Sequence, residues 1–96
     1  MLFKFFDATD AISFAREISE RIHKDFPLTD KAKSLEKGRK TLDLIAEQTR
    51  SFCRHNQLNV YKKAKLLNTV KWQLRELGHD DLFVEEILRL LANSTV

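Results

Sequence analysis

Residues 30–54 read DKAKSLEKGRKTLDLIAEQTRSFCR, 25 positions without a proline. Leu35, Gly38, Leu42, Ile45, Thr49 and Phe52 follow one another at steps of 3-4-3-4-3. That is the a/d rhythm of a helix facing another helix, and Ala32, Ala46 and Cys53 widen the same stripe. At 1.5 Å per residue the helix spans roughly 37 Å, more than any neighbour in the chain. Gly38 sits inside it at a cost of about 1 kcal/mol relative to alanine. Two explanations stand: the helix breaks there, or another backbone approaches closely.

Working outward, the flanking segments carry the same period. Ala8, Ala11, Ile12, Ala15, Ile18 and Ile22 make an apolar stripe over about residues 8–25, with Asp7 or Thr9 available as the cap. Pro27 ends that helix, because the residue before proline is steered away from α geometry. Thr29 or Asp30 opens the next. After the connection His55–Asn59, a third helix over 60–77 places Val60, Ala64, Leu67, Val70, Leu74 and Leu77 on one face. Asn59 is its candidate cap, and Gly78 stands where a left-handed C-terminal cap belongs. Asp80 or Asp81 starts a fourth helix over 81–92 with Phe83, Val84, Ile87, Leu88 and Leu91. The expectation is an all-α, compact bundle of about four helices in one domain over residues 1–96, with residues 1–6 as an apolar arm folded over one end.

Composition agrees with a folded domain: 43% hydrophobic and 32% charged residues, with only 2 glycines and 1 proline to break helices. A lone Cys53 allows neither an internal disulfide nor a cysteine-based zinc cage. No stretch approaches the roughly 18 apolar residues of a membrane span, and the Met1–Asp7 start is too short for a signal-peptide core. The expected location is the cytoplasm.

Candidate chemistry is sparse. Cys53 and His55 point about 200° apart on a continuing helix. His23 and His79 stand near helix ends without a ligand pattern. Glu85 and Glu86 are adjacent and diverge, while Glu17–Glu20 and Asp43–Glu47 have cationic neighbours. Neither a phosphate loop nor a nucleophile elbow is present. The reading is a non-enzymatic protein that uses no metal or cofactor.

Charge is distributed unevenly. Residues 31–75 hold 12 Lys/Arg against 3 Asp/Glu, a balance of +9, while residues 1–30 and 76–96 balance at −2 and −4. Either the acidic ends neutralise the middle when the helices pack, or an anionic partner does. Lys62, Lys63, Lys65, Lys71 and Arg75, with Tyr61 and Trp72 at their edges, are the candidate anion or nucleic-acid contacts. Lysine outnumbers arginine there, against base reading.

Apolar residues exceed what four short helices need. Leu66 and Trp72 fall off the third helix's stripe, and Leu82 and Leu90 off the fourth's. With Leu35, Gly38 and Leu42 of the long helix they form the candidate interface. The expected function is a helical protein–protein interaction or dimerisation module, pairing with itself as a homodimer or with another helical protein and not with a membrane. The alternative is a weak, sequence-tolerant nucleic-acid binder.

Overall fold

The computed structural model of the protein describes residues 8–26 and 31–95, with side chains from residue 38 onward in the second stretch. The arm of residues 1–6, Pro27, the caps Thr29 and Asp30, and the side chain of Leu35 lie outside the described residues. Four helices follow one another: α1, Thr9–Asp25; α2, Lys31–His55; α3, Val60–Glu76; and α4, Asp81–Ser94. They pack in a ring. α1 makes its most extensive contact with α3, α3 continues to α4, and α2 closes the ring between α4 and α1. The molecule measures 47 × 24 × 18 Å. No described helix is long and apolar enough to cross a membrane.

α1 shows how residue size sets the packing. Ala11, Ala15 and Ser19 stand four apart and are almost wholly buried, and Ser19 satisfies its hydroxyl by donating to the Ala15 carbonyl at 2.7 Å. On α3 the fully buried row is Leu66, Val70 and Leu74, again four apart. Rows of that spacing interdigitate as ridges and grooves, and small side chains on one helix admit large ones from the other. The expected α3 stripe is therefore rotated. Val60 is 83% exposed and Ala64 is exposed, while Leu66, expected at an interface, is a core residue. Periodicity marked a helix but did not show which row would meet α1's small residues.

α1 begins differently from expectation. Its cap position is Ala8, which makes no side-chain cap, and Asp10 supplies the favourable negative charge of the first turn. α2 runs through Gly38 without a break, and the close approach comes from a side chain. The ring of Phe26, just past the end of α1, lies where a Cβ of Gly38 would stand. Gly38 is consequently buried. Leu42 packs on the core, Ile45 and Thr49 are fully buried, and Phe52 stacks on Phe14 with centroids 4.2 Å apart. Arg21 donates to Gln48 at 2.6 Å, and the Thr41 hydroxyl donates to Asp25. From Gly38 to Phe52 the α2 stripe is thus occupied within one chain.

Both connections that follow are Schellman turns. After α3, Gly78 takes φ 96°, His79 N–H donates to the Leu74 carbonyl, and Gly78 N–H to that of Arg75. After α2, Leu58 N–H donates to Cys53 and Gln57 N–H to Arg54, with Gln57 itself at φ 48°. A side chain in that conformation costs roughly 1 kcal/mol or more. Asn59 accepts from Lys62 N–H at 2.9 Å and Asp80 from Phe83 N–H at 2.8 Å, which starts α3 and α4.

Candidate interaction surface

The outer face of α3 is built by spacing alone. Tyr61, Lys65, Asn68 and Trp72 stand at i, i+4, i+7 and i+11, so they line up opposite the buried Leu66–Val70–Leu74 row. Tyr61 is 38% and Trp72 52% exposed. The Lys71 ammonium and the Arg75 guanidinium each lie 5.7 Å from the Trp72 ring. Both are within cation–π range, and together they hold the ring against the helix.

Arg75 is also tied to the next helix. Its guanidinium meets Asp81 at 2.9 Å, an ion pair across the α3–α4 turn. The other ion pairs among the described residues are local, Glu47–Arg50 and Glu86–Arg89. Lys62, Lys63, Lys65 and Lys71 meet no carboxylate within ion-pairing distance among the described residues. α4 neutralises Arg75; Lys65 stands on the outer row with Lys62 and Lys71 on its flanks, while Lys63 lies on the side of α3 nearer the buried thiol of Cys53. The lysine stems are half-buried, as expected of side chains that lay methylenes along a helix and keep the charge wet.

α4 carries the complement. Leu82, Glu85, Glu86 and Arg89 follow at i, i+3, i+4 and i+7, all exposed, and Leu82 is 77% exposed. Glu86 accepts from Arg89, while Glu85 makes no ion pair among the described residues. Leu90, at the margin of this face, is half-buried. Of the residues expected at an interface, Trp72 and Leu82 are therefore displayed; Gly38, Leu42 and Leu66 are built into the bundle.

A second apolar surface lies between α1 and α2. Phe14, Leu44 and Phe52 floor an open groove of about 450 Å³, edged by Glu17, Arg21, Glu47 and His55. Leu44 is 52% exposed there. Its rim mixes both signs of charge.

One cluster escaped the sequence reading. His23 on α1 and His79 after α3 meet with Nδ1 and Nε2 2.9 Å apart. His79, only 8% exposed, stacks on Phe83, and Phe83 leans on Phe26, which covers Gly38. A bond between two imidazoles needs one N–H and one lone pair, so two imidazolium rings cannot make it. The two histidines are 56 positions apart, and only the folded ring of helices joins them. Among the described residues no group of three His, Cys, Asp or Glu is placed to hold a metal. Cys53 is buried beside the α2–α3 turn; burial pushes its thiol pKa up, with Lys63 partly opposing. It and His55 do not form a pair that would activate a nucleophile: Cys53 is buried and His55 exposed.

No protein-family model, curated relative or solved structure matches the chain.

Proposed function

We propose that this protein is a non-enzymatic helical interaction module that docks a protein partner through the outer face of α3 and the adjoining start of α4. The exposure of Trp72 carries the reading. An indole presents some 150–250 Å² of surface, and half of it is left open at about 25 cal/mol for each apolar Å². Lys71 and Arg75 hold the ring in place, so little ordering entropy remains to be lost on binding. Tryptophan and arginine at the centre of a patch, ringed by long polar side chains, are the composition of a binding hot spot.

Nucleic-acid binding is the second reading, supported by the four lysines of α3 without carboxylate partners and by Tyr61 aligned with Trp72. It is the weaker one. The Trp72 ring already holds two cations, Arg75 is engaged by Asp81, and the adjoining face of α4 is acidic and bears Leu82.

A photo-crosslinking residue in place of Asn68, exposed on the same outer row and leaving Trp72 intact, tests the first reading. It should trap protein, identified by mass spectrometry and reproduced with the purified pair; an equivalent residue at position 20 on exposed α1 should not. Absence of any protein adduct at 68 would remove the reading. For the second, titration at low salt with single- and double-stranded DNA and RNA follows the fluorescence of Trp72, the sole tryptophan. Binding there must weaken linearly with log salt.

A further inference from the structure

We infer that the partner of this surface is a second copy of the chain, with the basic aromatic face of α3 in one copy seated on the acidic face of α4 in the other, and the reverse contact formed by the same twofold operation. The inference rests on the interaction reading above and names its occupant.

Charge complementarity points to it. Along the outer side of α3, Lys62, Lys65 and Lys71 lack carboxylate partners among the described residues, and along α4 Glu85 lacks a cation. These faces belong to helices that are neighbours in the ring and are joined at one corner by Arg75–Asp81. Within one chain they stand side by side and their side chains point outward, so they do not neutralise each other beyond that corner. A twofold axis beside the α3–α4 pair brings each face opposite its complement. Such an interface is isologous and closes after two copies, which a one-way contact between unlike faces would not do.

Apolar groups fall in the same place. Tyr61 and Trp72 lie on the α3 face and Leu82 on the α4 face. They account for three of the five large apolar side chains most exposed in the described structure; Val60 adjoins Tyr61, and Leu44 lies in the separate α1–α2 groove. Each half of the pair thus sets an aromatic, lysine-edged stripe against a leucine edged by glutamates. Unlike charges on the rim fix the register and disfavour the parallel arrangement, in which lysine would meet lysine.

Sedimentation equilibrium of the full chain over a range of concentrations and salt is the test, with Lys65→Glu, Glu85→Lys and the doubly exchanged chain. Glu85 is exposed and Lys65 half-buried on the outer row, and circular dichroism verifies that each variant keeps its helices. The wild type should reach twice the 11.3 kDa chain mass at micromolar concentration and dissociate more readily as salt rises. Each single exchange should weaken the dimer by about tenfold or more. Mixing the two single variants, or combining them in one chain, should restore it. A mass of 11.3 kDa under all conditions overturns the inference, as does a dimer indifferent to both exchanges. The crosslinker at position 68 separates this failure from that of the broader reading. Adducts to a different, identified protein end the self-association inference and leave the interaction reading intact; no adduct at all ends both.

Discussion

The two faces of α3 are made from the same 17 residues and behave as different materials. The inner row, Leu66, Val70 and Leu74, is wholly excluded from water by α1 and α4. The outer row, Tyr61, Lys65, Asn68 and Trp72, leaves half of an indole in solvent beside a lysine that pairs with no carboxylate among the described residues. Helical apolar moment alone does not distinguish them, since each face carries large nonpolar side chains. Contact with a small-residue row on α1 makes one face a core, and the other, which no described helix covers, is a surface.

The sharpest way to test that contrast is truncation. Leu66→Ala should cost about 2–5 kcal/mol in denaturant unfolding, because a side chain with no exposure leaves a cavity. Trp72→Ala should cost about 1 kcal/mol or less, while removing association. Equal losses would mean that the rotation of α3 is misassigned.

A second test removes the flaw inside the core. The Thr49 hydroxyl is buried without a hydrogen-bond partner. Replacing it by valine takes away an unsatisfied group at little change in shape, for a gain of about 1 kcal/mol. A loss of similar size would show that the hydroxyl is satisfied in solution.

The two ends of α3 offer a finer comparison. The turn after it uses Gly78 at positive φ, while the turn before it forces Gln57 into the same region. Gln57→Gly should therefore stabilise by roughly 0.5–1 kcal/mol, net of glycine's greater chain entropy. Gly78→Ala should destabilise, and thermal melts of the two variants should move in opposite directions.

Smaller effects come from Cys53 and the surface lysines. Burial raises the folded thiol's pKa, so the folded state holds that proton more tightly than the unfolded chain does. This stability is complete below the ordinary thiol pKa and is lost as pH rises through the raised value. Cys53→Ala should flatten the alkaline limb of the stability profile, and native protein should alkylate far more slowly than unfolded protein. Lys62→Gln should change stability by less than about 0.5 kcal/mol. A larger loss would mean that its charge is neutralised inside the bundle.

Much of the fold was legible along the chain because capping and periodicity are local. Asn59, Asp80 and Gly78 act where their side chains or backbone freedom place them, and the helices begin and end within a residue or two of the expected positions. The candidate surface was half legible. Trp72 and Leu82 stood off the apolar stripes and are exposed, whereas Leu66 stood off the same stripe and is core. A helical stripe has soft edges, and its centre depends on which neighbour it meets.

The sequence by itself therefore determined the four described helices and their ends, since hydrogen bonds and steric limits within a few residues control both, and its composition set the basic middle. Tertiary structure alone decided that Phe26 covers Gly38, that His23 finds His79, and that α2 directs its stripe inward from Gly38 onward. It also decided that the α3 lysines stay clear of α4. These outcomes depend on contacts between residues far apart in the chain, set by helix crossing and side-chain volume, and no local pattern encodes them.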